Sequence, residues 1–456
     1  MRRVRAVRPA GTRRLRPGRR RHRRTARRRP LPGPRGRRTG IRRRLPRLRH
    51  PPGTEVTTAR APRRIVVVGA SAAGLTAAET LRAQGYDGAL TLIGEEPRLP
   101  YDRPPLSKQV LAGEWTAERT RLRPPEAVTA LALDLRLGTA ATALSPSSRT
   151  VSLTRGEDIG WDALLIATGV RPRRLPWSGL PGTHVLRHLD DALALRERLA
   201  PGRRLVVVGA GFLGSEVASS ARALGAHVTL VEPAPLPLAH VVGRHVGARV
   251  ARLHREHGVD LRTGTAVAAA ESTHGRLTGL RLSDGTHVPA DDVLVAIGSE
   301  PATDWLAGSG LRLDDGVECD ERNRAAPGVY AAGDVARWHN PLFGTTMRLE
   351  HRTNAAEQAV AAARNLLHPE QARPFAPVPY FWTDQYGIRV QAYGHLRGHE
   401  ESRVVEGDPD EGRFLVAYRR GPALVGALSF GLPPKTLRPW RAAVAARADW
   451  AEATRA

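Results

Sequence analysis

Two stretches of this 456-residue chain, 140 residues apart, repeat one pattern: RIVVVGASAAGLTAAETLRAQGYDGALTLIGE from Arg64 to Glu95, and RLVVVGAGFLGSEVASSARALGAHVTLVE from Arg204 to Glu232. Each reads as a buried strand, a glycine turn, a helix, a second strand and a terminal acid. In that order the turn brings backbone N–H groups and the positive helix end to a pyrophosphate, and the acid takes up ribose hydroxyls. The fold class is therefore α/β with two Rossmann-like dinucleotide-binding domains. Two units imply two dinucleotides.

The second turn has all three glycines, Gly209, Gly211 and Gly214. The first reads Gly69, Ser71 and Gly74, with serine where the backbone must approach the pyrophosphate most closely. Serine is small enough to leave the assignment standing. A lone glycine motif is common, so the competing reading of either copy is a βαβ layer that merely packs.

The formal net charge of +27 suggests nucleic acid or a membrane surface until its distribution is considered. Residues 1–50 hold 23 arginines and no acid, which leaves +4 on the other 406 residues. This tail is proline-rich and lacks apolar periodicity, so it cannot bury a core and is expected to be disordered. It has no apolar h-region and is not a secretory signal peptide. Three readings compete for it: electrostatic binding to nucleic acid or anionic lipid, a transit peptide in which serine is scarce, or an over-extended reading frame with Val56 as the true start. The last is favoured because the recognisable sequence begins at Arg63-Arg64-Ile65. Nucleic acid is accordingly not expected as a partner.

The single cysteine, Cys319, allows no disulfide within the chain, which fits a reducing cytoplasm. It also removes any electron relay through a cysteine pair, and Cys319 itself reads as a small core residue rather than a reactive thiol. No apolar run approaches the roughly 18 residues a spanning helix needs, so no membrane is expected. Only Lys108 and Lys435 stand against 69 arginines. A lysine kept against that bias is a candidate for a role.

Length allows roughly three domains of about 150 residues each. After the tail, 1–60, the first dinucleotide domain is expected over 61–172, where Leu99-PYDRPPLSK-Gln109 reads as a rigid loop leading into a helix, residues 139–153 alternate as strands, and Trp161–Val170 is a buried strand ending in a glycine turn. A proline-rich link from Arg171 opens the second domain, 173–301, which closes on the similar Asp291-DVLVAIGSEP-Pro301. Residues 302–375 return to the first domain through Pro327-GVYAAGDVA-Ala336 and a helix over 354–367. Residues 376–456 read as a C-terminal α+β domain.

From about residue 63 onward the chain resembles the FAD-dependent, NADH-using ferredoxin reductases that serve bacterial cytochrome P450 and ring-hydroxylating dioxygenase systems. The motifs that carry the resemblance are PYDRPPLSK ending at Lys108, the two glycine units, ATG at Ala167–Gly169, VYAAGDVA, the EHxxNAxEQ stretch at Glu350–Gln358, and FWTDQYG from Phe381. It implies a glutathione-reductase-type architecture, with a split FAD domain, an inserted NAD domain and a C-terminal domain near the ferredoxin surface. It assigns FAD to the first unit, with Gly69, Ser71, Ala73 and Gly74 on the pyrophosphate and Glu95 on the adenosine ribose. Arg103 and Lys108 lie along the flavin, Ala141 and Arg187 match further FAD contacts, and Asp334 accepts from the ribityl chain. A helix N-cap is the competing reading of Asp334.

On the nicotinamide side the resemblance places Gly209, Gly211 and Gly214 on the pyrophosphate and Glu232 on the ribose. A carboxylate there repels a 2′-phosphate, and no arginine follows until Arg244, so NADH is expected over NADPH. Glu216 is expected to approach Lys108 at the hydride-transfer site, where the lysine either stabilises the reduced flavin or only fixes the loop. Many relatives have tryptophan after Glu-His; here Arg352 follows, so its backbone can still touch the flavin but no ring stacks there. Trp382 either shapes the partner surface or fills a core.

His254 and His257, three apart on an amphipathic helix, are expected to be solvated, and no metal-ligand spacing occurs. The mechanism implied by the resemblance is hydride from NADH to FAD, then single electrons to an iron–sulfur ferredoxin, acidic to suit the mildly basic chain. The alternatives are an NADH oxidase on the same fold, and a nucleic-acid-binding or anion-binding protein resting on the tail alone.

Overall fold

The computed structural model describes residues 62–455. The expectations for the arginine-rich tail lie outside the described residues. Strand Arg64–Val68 pairs in parallel with Ala89–Ile93 on one side and Ala163–Ile166 on the other. The sheet continues through Asp134–Arg136 at one edge and through Val329–Ala331 and antiparallel Arg324–Ala326 at the other. Its central strands are unbroken aliphatic runs because both faces are covered. Helices Ala72–Ala83 and Arg352–Leu367 cover one face, and the alanines at 77, 78, 359, 362 and 363 let them lie close together. The other face is closed by Trp161 and a meander of three short strands over 141–160.

The second unit repeats this plan in the same register. Arg204 stands opposite His227 as Arg64 stands opposite Ala89, and the N–H groups of Gly209 and Gly69 reach the second strands at 2.8 and 2.7 Å. Its five strands are all parallel, and it too carries a three-stranded meander, over 267–289. Val170–Pro172 and Ser299–Pro301 pair antiparallel, so the chain leaves the first sheet and returns to it along one ribbon.

The C-terminal sheet has five antiparallel strands, in the order Tyr380–Gln385, Ile388–Gly394, Ala423–Phe430, Arg413–Arg420 and Glu401–Asp408. Helix Ala239–Glu256 of the second unit packs Val242, Val246 and Val250 into the same core as Phe414 and Tyr418. That helix kinks at Gly243, whose φ is +78°, and the Tyr418 hydroxyl donates to the Val242 carbonyl at 2.7 Å. Among the described residues no helix is long and apolar enough to cross a membrane.

Candidate active site

Both glycine turns open into one cleft of about 820 Å³. Gly69 is at φ +118°, and a Cβ there would lie 2.1 Å from the Ala167 carbonyl oxygen. Gly74 and Gly214 hold each helix against its own turn, since an added Cβ would fall 1.8 and 2.0 Å from the carbonyls of Gly69 and Gly209. Gly211 differs. A Cβ there would meet nothing within 4 Å, so its bareness serves the cleft and not the packing.

Neither helix Ala72–Ala83 nor helix Phe212–Ala223 has a side-chain cap or an acid in its first turn. Ser71, the N-cap of the first, keeps its hydroxyl out of any capping bond. Free N–H groups and two positive dipole ends therefore face the cleft, and that arrangement fits a pyrophosphate at each turn. Of the terminal acids, Glu95 is exposed and lines a second cavity of about 530 Å³ beside Arg171, Arg173 and Arg174. Glu232 is bound back to its own turn, accepting the N–H groups of Ala210 and Ala234 at 2.8 and 2.9 Å.

The PYDRPPLSK segment is, as expected, a loop leading into a helix. Pro104 and Pro105 lead into one wide helical turn, Leu106–Val110, in which the Val110 N–H reaches the Pro105 carbonyl five residues back at 2.9 Å. The turn brings Ser107 and Lys108 to one oxygen of Glu216, at 2.6 and 2.7 Å. Lys108 also donates to the Pro104 carbonyl at 3.1 Å. On the other oxygen, Glu216 accepts the Thr383 hydroxyl at 2.7 Å.

Arg103 donates to Glu96 at 2.9 Å and to the Arg187 carbonyl at 2.8 Å. Burial pushes the Glu96 carboxyl up, but the nearby His188 and the Arg103 charge outweigh it and hold the group at about 2. The Tyr101 hydroxyl donates to Glu96 and accepts the Leu189 N–H at 3.0 Å; burial raises its pKa to about 12. Arg187 lies 3.4 Å from Asp334, and burial shifts both toward their neutral forms. The Asp334 turn is fixed from below, where the Gly333 N–H donates to the buried Gln358 at 3.0 Å. Arg352 is paired with Asp102 at the start of helix Arg352–Leu367.

Residues 63–359 match the model of the pyridine nucleotide-disulphide oxidoreductase family, and residues 380–456 match a reductase C-terminal domain. The chain belongs to the pyridine nucleotide-disulphide oxidoreductase family. It is 39% identical to putidaredoxin reductase CamA of Pseudomonas putida over 365 residues, covering 78% of this chain and 86% of that one. It is 36% identical to rhodocoxin reductase of Rhodococcus erythropolis over 372 residues, 81% of this chain and 86% of the relative. The structure superposes on the covalent putidaredoxin reductase–putidaredoxin complex with a TM-score of 0.81, at 35% identity, over 86% of this chain and 94% of the other.

In this pyridine nucleotide-disulphide oxidoreductase the cleft is lined by Ser71, Ala73, Arg103, Lys108, Arg187 and Gly211, and also by Glu216, Asp334 and Arg352. Gly69, Gly74, Gly209 and Gly214 shape the turns behind it. Ala141 does not line it; the residue opens the meander strand Ala141–Ser145. Asp334 is not a helix N-cap, because it lies in a turn between two strands and the next helix begins at Arg352. Cys319 lies outside the lining, with its thiol pKa raised by burial.

His254 corrects the expectation of solvation. It is fully buried, its Nδ1 lies 2.8 Å from the Tyr386 hydroxyl, and burial lowers its pKa to about 4. His257 is exposed and stacks on the same tyrosine ring at 3.9 Å. Trp382 is half-buried at the cleft, its ring 5.9 Å from that of Tyr380. Sequence reasoning passed over Glu96, Tyr101, Ser107 and Thr383. The last three stand inside motifs that were singled out, but nothing in the motifs states which partner each would reach.

Proposed function

We propose that this chain is an FAD-dependent NADH:ferredoxin oxidoreductase, carrying electrons from NADH through FAD to an iron–sulfur ferredoxin that serves a cytochrome P450 or a dioxygenase. The observation that carries the reading is the convergence of two uncapped glycine turns on one cleft, with the Lys108–Glu216 pair in its lining. A chain with one cysteine, away from that cleft, has no thiol pair to pass electrons through. FAD, when bound, accepts two electrons as hydride and returns them singly, the conversion an iron–sulfur acceptor requires.

The chain supplies binding, orientation and charge. Gly69, Ser71, Ala73 and Gly74 hold the FAD pyrophosphate, with Glu95 on its adenosine ribose and Arg103, Arg187 and Asp334 along the rest of its length. The Arg352 backbone is a further contact, whereas Ala141 stands outside the cleft lining. Gly209, Gly211 and Gly214 hold the NADH pyrophosphate, and Glu232 receives the ribose hydroxyls while opposing a 2′-phosphate. Lys108 keeps a positive charge where negative charge arrives, and Glu216 orients it. Trp382, half-buried in the cleft lining, shapes the surface that the acceptor meets. The domain limits we assign are 61–172 and 302–375 for FAD, 173–301 for NADH, and 376–456 for the C-terminal domain.

The +4 remaining beyond the tail suits an acidic ferredoxin, because complementary charge speeds encounter and fades with salt. We assign the protein to the cytoplasm on its cysteine usage. The test is NADH-driven cytochrome reduction through added ferredoxin, with and without residues 1–55. Activity retained on deletion supports the reductase, whereas binding of nucleic acid lost with those residues and no ferredoxin reduction would overturn it.

A further inference from the structure

Glu216 is gripped from two other parts of the molecule at once. Its Oε2 accepts Ser107 and Lys108 from the PYDRPPLSK segment, at 2.6 and 2.7 Å. Its Oε1 accepts the Thr383 hydroxyl at 2.7 Å and the Asp384 N–H at 3.4 Å, both from the C-terminal strand Tyr380–Gln385. Glu216 itself rides on helix Phe212–Ala223, which begins at the second glycine turn. One carboxylate thus joins both dinucleotide units to the C-terminal sheet.

Lys108 needs only one of the two oxygens. A glutamate anchored on one side would still pivot about its long side chain, and the ammonium would move with it. Thr383 prevents this. It is 1% exposed and β-branched, so its χ1 is stiff, and Gln385 Nε2 donates to its oxygen at 3.4 Å, which directs the hydroxyl hydrogen toward Glu216. The helix is tied on both flanks as well: Ser220 donates to the Ser107 carbonyl at 2.7 Å, and Ser219 accepts the Tyr386 N–H at 2.7 Å.

We propose that Thr383 is a positioning residue for hydride transfer, fixing Glu216 so that Lys108 is held at the nicotinamide side of the cleft. The C-terminal domain then takes part in the reaction with NADH as well as in meeting the acceptor. This inference rests on the reading of Lys108–Glu216 as the hydride-transfer pair.

The test compares Thr383→Val, which keeps the shape and loses the donor, with Thr383→Ser, which keeps the donor, and with Glu216→Gln, all as FAD-loaded protein. Anaerobic bleaching of the flavin by NADH gives the limiting rate, quenching of intrinsic fluorescence gives the NAD+ dissociation constant, and thermal melting reports folding. Losing a hydrogen bond to a charged group predicts a limiting rate about tenfold lower in Thr383→Val, with Thr383→Ser within about twofold of the parent. NAD+ binding should stay within about twofold, since the uniform binding contacts are untouched. A Thr383→Val rate equal to the parent, with Glu216→Gln slow, overturns the inference and leaves the pair intact. A Thr383→Ser rate as low as that of Thr383→Val, at equal melting temperature, also overturns it, because the hydroxyl is then irrelevant. An unimpaired Glu216→Gln refutes the reading of the pair itself.

Discussion

Lys108 Nζ lies 2.7 Å from Glu216 Oε2, and the two side chains, 108 residues apart in sequence, are only 12% and 7% exposed. Removing one partner leaves the other charge buried, which costs about 3 kcal/mol. Lys108→Ala should therefore lower the urea midpoint, and adding Glu216→Gln should return part of the loss. The same single variant should slow flavin bleaching by NADH. A parent-like rate would reduce the lysine to a loop anchor.

Gly211 and Gly214 separate ligand space from packing space within one turn. Gly211→Ala points its methyl into open cleft, so its melting temperature should match the parent while the KM for NADH rises at least severalfold. Gly214→Ala drives a Cβ to 2.0 Å from the Gly209 carbonyl oxygen and should destabilise the fold by about 1–3 kcal/mol. Melting curves together with steady-state kinetics distinguish the two.

Glu232 sets coenzyme choice if its carboxylate meets the ribose. Glu232→Ala removes the charge that opposes a 2′-phosphate, and the ratio of kcat/KM for NADH over NADPH should fall about tenfold or more. An unchanged ratio would place the discrimination elsewhere. Because the carboxylate also accepts the Ala210 N–H, some loss of affinity for both coenzymes is expected.

His254 makes stability depend on pH. Its folded pKa, lowered by burial to about 4, lies below the ordinary 6.5, so below 6.5 the unfolded chain binds the proton and the folded one does not. Stability is full above pH 6.5 and is lost as pH falls toward 4, by about 2 kcal/mol at pH 5 from this residue. His351 and His395, also lowered to about 4 by burial, act in the same direction. Urea unfolding of His254→Gln at pH 7 and pH 5 should show a smaller difference than the parent does.

What the sequence made legible is what the backbone decides locally. The glycine turns, their strands and the ends of each unit follow from φ > 0 requirements and unbroken aliphatic runs within about 30 residues. Thr383 and Tyr101 were illegible as site residues because their roles depend on partners brought near by tertiary folding, Thr383 reaching Glu216 across 167 residues and Tyr101 reaching Leu189 across 88. The burial of His254 is legible in the sequence. Val242, Val246, Val250 and His254 recur every four residues on the face that packs into the C-terminal core, so the histidine shares the buried stripe. Arg352 stands where many relatives have tryptophan, and only the fold reveals that Asp102, within PYDRPPLSK, receives it.

Electron counting tests the central claim most directly: anaerobic titration of the purified yellow protein with NADH, followed by addition of excess oxidised ferredoxin. One NADH should bleach one flavin, and each bleached flavin should then reduce two ferredoxin molecules. A colourless protein, or a flavin bleached by NADH that passes no electron to any ferredoxin, would contradict the account.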